Sequence, residues 1–338
     1  MNWDRGYSSL YELKTVDPVS WLDTGSLDFT AGKVNRAESD LIESADLTMT
    51  ERIREGWVRV YLKARQTGSG ARVPVFTGLA ITPLRNLDGK RETFPTVCYS
   101  VLKPAEDNPP PRGYYVPAGA NGPQVVAELL SVGPAPVEYD EGGPELLEAI
   151  VTEDRDSNLS TAWKILDAIG WRIRISGNGV IRICPAATEP AARYDADEND
   201  AIEPKLSDED DWYDCPNCLR VVSGDKYVEV RDEDPDSMLS IEARKAGRGG
   251  NGEIWQQDSA TTIGSDESLA EYAFRKLKEA QAHARGIKYY RRYNPDLTIG
   301  DIVTLHYPGA GLDGNFRILN QTLTLGHSIR TDEKVVAV

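Results

Sequence analysis

Four cysteines and three histidines are the side chains best suited to metal or redox chemistry, and one pair has suggestive spacing. Cys215-Pro-Asn-Cys218 has the separation of a redox dithiol or of half a zinc site. A structural zinc site needs four ligands, and no second CxxC or HxxxH pair accompanies this one. Cys184 with one histidine would complete a site only if the fold brought them together. A redox dithiol opens a helix after a strand, whereas Leu219-Arg-Val-Val reads as strand. The pair therefore reads as two small residues at a strand start. His283, His306 and His327 fall on one helical and two strand segments, without metal or triad context. GxSxG and HExxH are absent.

Other constellations are weaker. Residues 245–252 (KAGRGGNG) lack the GxxxxGK[ST] order of a phosphate loop and read as a flexible hairpin tip. Residues 288–293 (KYYRRY) interleave basic and aromatic side chains, as single-stranded nucleic-acid surfaces do. They also make a strand with Ile287, Tyr289, Arg291 and Tyr293 on one side, and a net charge of −16 opposes DNA binding. The carboxylates of residues 189–236 supply material for a glycosidase pair, but such an acidic run reads as solvated surface. Residues 208–211 (DEDD) lack the glycine of a calcium loop. No catalytic, cofactor-binding or metal-binding residue is nominated, and no cofactor is expected.

The elements around these residues are mainly strands. Residues 58–64 (VRVYLKA) alternate, with Val58, Val60 and Leu62 on one face. Gly68-Ser-Gly70 is a turn, and Asn86-Leu-Asp-Gly89 carries an Asp-Gly hairpin signal. Residues 1–103 thus read as a small β-barrel domain. Residues 104–123 hold Pro109-Pro-Pro111 and read as a linker or arm. Residues 124–213 read as an α/β insert. It has helices over 124–130 and 160–169, the second capped by Ser160 and stopped by Gly170, then a tight hairpin at Gly177-Asn-Gly179. Residues 189–214 read as an acidic, solvated crossover. Residues 214–338 read as a second β-barrel domain with a bracing helix over 265–285. Ser268 and Glu271 could form its capping box, with Ser265 as the competing cap. Asp313-Gly314 is read as a hairpin turn between strands 302–306 and 315–318. The fold class is mainly β (α+β), with two small tube-type barrels and an inserted α/β unit.

Charge follows the same division. Residues 1–103 hold 13 acidic and 14 basic side chains, residues 104–240 hold 29 and 11, and residues 241–338 hold 12 and 13. All the excess negative charge lies in the middle third, which favours solubility and disfavours nucleic-acid binding. No run of 18 apolar residues exists, so no membrane insertion is expected. The N-terminus lacks a signal-peptide pattern, so the protein is expected to be made and kept in a cytoplasm. Four cysteines are too few for a disulfide framework.

Several stretches resemble one family. Tyr11-Glu-Leu-Lys with Asp17-Pro-Val, Ala45-Asp-Leu, Trp57-Val-Arg-Val-Tyr and Val75-Phe-Thr-Gly78 resemble the N-terminal barrel of phage tail hub proteins. Ala162-Trp-Lys-Ile-Leu-Asp-Ala-Ile-Gly170 with Ile181-Arg-Ile-Cys-Pro185 is similar to their inserted α/β unit. Residues 289–303 with Phe316-Arg-Ile-Leu-Asn-Gln-Thr322 are similar to their second barrel. The family includes the baseplate hub of contractile phages, the late control protein D group and tail proteins of many prophages. The resemblance covers most of the chain, and the order of the stretches is its strongest part.

It implies a virion structural protein, not an enzyme. The implied assembly is a homotrimer whose barrels mimic a six-fold tail tube. That ring would join the tube, or a distal tail protein, to a spike, fibre or tape measure protein. Its channel would pass DNA without specific binding. A tailocin or another contractile injection system fits equally well. Two other classes stand beside this reading. One is an adhesion or carbohydrate-binding module using Trp3, Trp212 and Trp255. The other is a cell-wall hydrolase of the tail tip.

Overall fold

The alternation of residues 58–64 demands a two-faced strand, and in the computed structural model this stretch lies within Gly56–Gln66. The structure describes residues 1–338 except 40, 90, 198–200, 211, 260–261, 266, 283 and 327–329, and except the side chains of Arg91 and Asp210. Strands make up 48% and helices 16% of the chain, so the class is mainly β.

The N-terminal strands are β1 (Ser8–Val16), β2 (Asp23–Leu27), β3 (Phe29–Ala37), β4 (Glu43–Met49), β5 (Gly56–Gln66), β6 (Ser69–Ile81), β7 (Asn86–Asp88) and β8 (Arg91–Ser100). Helix α1 (Lys103–Asp107), β9 (Tyr115–Val116), α2 (Gly122–Leu130), β10 (Val137–Tyr139), β11 (Ile150–Val151), α3 (Asn158–Ile169), β12 (Trp171–Ile175) and β13 (Ile181–Pro185) follow. Then come β14 (Pro190–Asp195), β15 (Ile202–Asp210), β16 (Cys218–Ser223), β17 (Lys226–Arg231), α4 (Ile241–Arg248), β18 (Trp255–Ser259) and α5 (Leu269–Ala282). The chain finishes with β19 (Arg285–Arg292), β20 (Ile302–Tyr307), β21 (Leu312–Leu325) and β22 (Arg330–Ala337).

One 14-stranded sheet carries both ends of the chain, with eleven strands in the order β15-β19-β22-β21-β3-β4-β8-β6-β5-β1-β2 and three off this path: β20 on β21, β14 on β20 and β7 on β8. Its N-terminal half curls around one core of inward residues from β1, β3, β4, β5, β6 and β8, including Leu13, Val34, Leu47, Val60, Phe76 and Cys98. Its C-terminal half encloses a second core with Tyr194, Ile202, Ile287, Val303, Phe316 and Val335. Each half is barrel-like: a single inward face supplies a shared interior. Strand β21 joins the halves. Residues 312–317 pair with β20, 316–323 with β22, and 320–325 with β3.

Three expectations change here. Residues 189–214 are not a solvated crossover. They supply β14, parallel to β20, and β15, antiparallel to β19, and Tyr194 and Ile202 enter the core. The short apolar content hid strands buried on one face only. Asp313-Gly314 lies inside β21, and the reversal falls on the 3-10 turn Pro308–Ala310 with Gly311 at φ 63°. The helix expected over 265–285 is α5, shorter at both ends. Its apolar face, Tyr272, Ala273 and Leu277, packs on Leu219 and Val221 of a separate three-stranded sheet, β17-β16-β18. Ser268 caps α5: its hydroxyl accepts from Glu271 N, and the Glu271 carboxylate accepts from Ser268 N and its hydroxyl.

The inserted α/β unit builds a core from α1, α2, α3 and the β10-β13-β12 sheet, which Val16, Ile42 and Trp57 of the first half join. The segment read as an arm is partly inside it: Ala105 and Val116 are buried. Helix α3 begins two residues earlier than expected, capped by Ser157, with Ser160 as the reciprocal partner. Gly170 ends it at φ 66°, in the left-handed region.

Candidate functional site

The residues that tie the two barrel-like halves together lie in one transverse row. Cross-strand register places Glu43 on β4 opposite Arg36 on β3, Arg36 opposite Gln321 on β21, Gln321 opposite Glu333 on β22, and Glu333 opposite Tyr289 on β19. All five are buried. Arg36 donates from Nε to Glu43 Oε2 (3.3 Å), from Nη1 to Gln321 Oε1 (2.5 Å) and from Nη2 to Val75 O. Gln321 Nε2 donates to Glu333 Oε1 (2.8 Å) and Leu297 O (3.3 Å). Arg291, two residues along β19, grips Glu333 with both ends of its fork, at 2.6 and 2.8 Å. Tyr289 Oη donates to the same carboxylate at 2.5 Å.

This row costs desolvation and returns specificity. Buried ion pairs contribute little net stability, but breaking one is expensive. Burial by itself would lower the Arg291 pKa; the Glu333 carboxylate outweighs it and holds the guanidinium above its ordinary value. Burial pushes the Glu43 carboxyl up to about 7, against the Arg36 charge, and its Oε1 has no partner among the described residues. Sliding either half by one residue would turn these side chains outward, so the row fixes register.

The α/β unit is clamped to both halves. The β12–β13 loop is not a tight two-residue turn but five residues, and its tip docks on the first half. Trp21 Nε1 (3.0 Å) and Arg59 Nη2 (3.1 Å) donate to Asn178 O, and Thr77 Oγ1 donates to Gly177 O (2.8 Å). A Cβ on Gly177 would sit 2.0 Å from Pro74 O, so only glycine allows this approach. On the other side, Arg172 (3.0 Å) and Arg174 (2.8 Å) both pair with Asp301, which is buried at the start of β20.

The residues singled out in the sequence are scattered. Cys218 begins β16, and burial pushes its thiol up to about 11, so it stays protonated. Asn217 between the cysteines organises the turn. Its amide donates to Gly252 O (2.8 Å), and its carbonyl accepts from Ile254 N (2.7 Å). Among the described residues no group of three His, Cys, Asp or Glu is placed to hold a metal ion. Residues 245–248 are not a hairpin tip but the end of α4, whose cap is Ser240. Ile287, Tyr289, Arg291 and Tyr293 do share one face, and it is the buried one. His306 lies on β20 between Asp195 and Asp313, at 3.8 and 3.4 Å. His283, His327 and Asp211 lie outside the described residues. Trp3 packs edge-on against Tyr7. Trp212 is stacked by Arg244 at 4.7 Å, and Trp255 by Arg231 at 5.0 Å and Arg220 at 5.6 Å. These rings are occupied by the chain's own guanidinium groups. The polar row went unnoticed in the sequence. Its only signals there are single charges, Arg36 and Glu333, in phase with apolar neighbours such as Val34 and Val335.

Two surface features stand near these contacts, a recess and a ribbon. Adjoining depressions of about 330 and 260 Å³ share Glu38, Trp163, Arg172 and Gly300, at the meeting point of the α/β unit and both halves. Among the described residues strand β7 pairs only with residues 91–93 of β8; Leu87 on it is exposed (62%), as is Leu84 (60%) just before it. No helix among the described residues is long and apolar enough to cross a membrane.

No family model matches the sequence, and comparison with curated proteins gives no match either. Solved structures do match. The tail protein from Neisseria meningitidis MC58 superposes with a TM-score of 0.73 at 13% identity, covering 98% of this chain and 97% of that one. The chain has the fold of phage tail proteins. The 43 kDa tail protein of prophage MuSo2 from Shewanella oneidensis gives a TM-score of 0.67 at 13% identity, over 97% and 98% of the two chains. Prophage tail protein gp18 from Listeria monocytogenes EGD-e gives 0.57 at 12% identity, over 96% and 94%. The tail-protein fold therefore spans nearly the whole chain, including the inserted unit.

Proposed function

We propose that this chain is a structural hub of a phage-type tail tip or baseplate. It forms a ring, a homotrimer, between the tail tube and a central spike, fibre or tape measure protein. The observation that carries the reading is the single sheet with two barrel-like halves locked by a buried polar row. Three such chains present six barrel-like units, which matches a six-fold tube to a three-fold spike. The rigid joint suits that role, because a ring holds its symmetry only if its two units keep a fixed relation. Full-length likeness to tail proteins supports it. The ring's channel passes DNA without binding it, in keeping with the net charge of −16. The reading is non-enzymatic, and it places the chain in the virion tail. Gold-labelled antibody on purified tail particles tests it. Label confined to the tail tip is expected, and label spread along the tail, or absent from the particle, contradicts it.

A further inference from the structure

We propose that the ribbon β7–β8 of one copy docks into the groove beside Arg317 on the next copy, giving the head-to-tail contact that closes the ring. This rests on the hub reading above. The groove continues the two depressions already described into a third of about 420 Å³, which shares Arg275, Arg317 and Val336 with its neighbour. Its walls are largely apolar, with Ile42, Trp163, Ile173, Ile299 and Leu319. Arg317 is half-buried there, and its side chain makes no hydrogen bond or ion pair among the described residues. Three carboxylates line the groove with it, and none is free: Glu279 pairs with Arg275 and Lys276, Asp167 binds Lys276 and Tyr272, and Glu38 is engaged as well. A half-buried guanidinium in an apolar groove calls for a carboxylate brought from outside.

The ribbon brings one. Leu87 on β7 and Leu84, just before that strand, are exposed apolar side chains, and Asp88 is exposed at the end of β7 with no ion pair among the described residues. The two features lie at opposite ends of β4. Ser39 and Ile42, just before β4, line the groove, whereas Met49 at its far end pairs with Phe94 at the ribbon's base. Seven residues of strand separate them by roughly 20 Å. Two such features on one subunit pair either reciprocally across a two-fold axis or head-to-tail around a ring; the proposal is the second, and a wild-type mass of two chains would overturn it.

The test is solution mass by light scattering on the full chain. The wild type is compared with Leu84→Asp/Leu87→Asp, Arg317→Glu, and Arg317→Glu combined with Asp88→Arg. Both leucines are exposed, so the first variant keeps its fold, checked by circular dichroism, even if Arg317→Glu does not. The proposal expects a trimeric wild type, a fall to the 37.3 kDa monomer in the first two variants, and recovery of the trimer in the charge swap. Variants that all keep the trimer overturn this contact and leave the ring standing. A swap that fails to restore the mass overturns the Asp88–Arg317 pairing. A wild type that is monomeric throughout, also with tail-tube protein added, overturns the contact and the ring together.

Discussion

At the scale of single residues, the buried row is where chemistry has been spent on architecture. Arg291→Met would leave Glu333 charged and buried with only Gln321 and Tyr289 to satisfy it. The expected loss is about 3–5 kcal/mol, read from urea unfolding midpoints. Arg291→Met with Glu333→Leu should cost less than the single change, because no charge is stranded; an additive or larger loss would argue against this account. Glu43 makes the row sensitive to pH. Burial raises its carboxyl from an ordinary 4.5 to about 7. An acid raised in the folded state stabilises fully below 4.5 and loses that contribution as pH rises through about 7. Wild-type stability should therefore decline between those values relative to Glu43→Gln, whose own profile lacks this component. Parallel profiles for the two proteins across that window would contradict the assignment.

At the scale of elements, the β12–β13 hairpin is the part most dependent on one backbone position. Gly177→Ala places a methyl 2.0 Å from Pro74 O and should cost about 1–3 kcal/mol or release the hairpin tip. Gly142→Ala, with open space around it, is the control. Equal unfolding midpoints for the two would show that the tip does not dock. Much of this level was legible beforehand. The alternation of residues 58–64, the Asp-Gly ribbon turn, the Gly170 stop and the capping box at Ser268 are local signals, and local physics honours them. What was illegible depended on distant partners. Strands β14 and β15 have few large apolar residues, and they become strands because β20 and β19 offer them an edge. Asp313-Gly314 has turn chemistry, yet it is held in β21 by pairing with Leu305 and His306. The apolar face of α5 was visible, but not which sheet it would cover. The polar row was invisible because each member is unremarkable alone and acquires meaning only from register across five strands.

At the scale of the whole molecule, the fold turns one chain into two barrel-like units with a fixed relation. The α/β unit acts as a strut. Its hairpin tip holds the first half through Trp21, Arg59 and Thr77, while Arg172 and Arg174 hold the second through Asp301. Such a body suits the proposed ring, and so does its uneven charge. The outer segments are near neutral, and the middle third carries the acidic surplus. The central claim is that the chain closes into a three-fold ring, and the most direct measurement is the solution mass of the purified protein across a dilution series. A mass three times 37.3 kDa, constant until dissociation sets in, is the predicted result. A mass of 37.3 kDa at every concentration, unchanged by adding tail-tube protein, would contradict it.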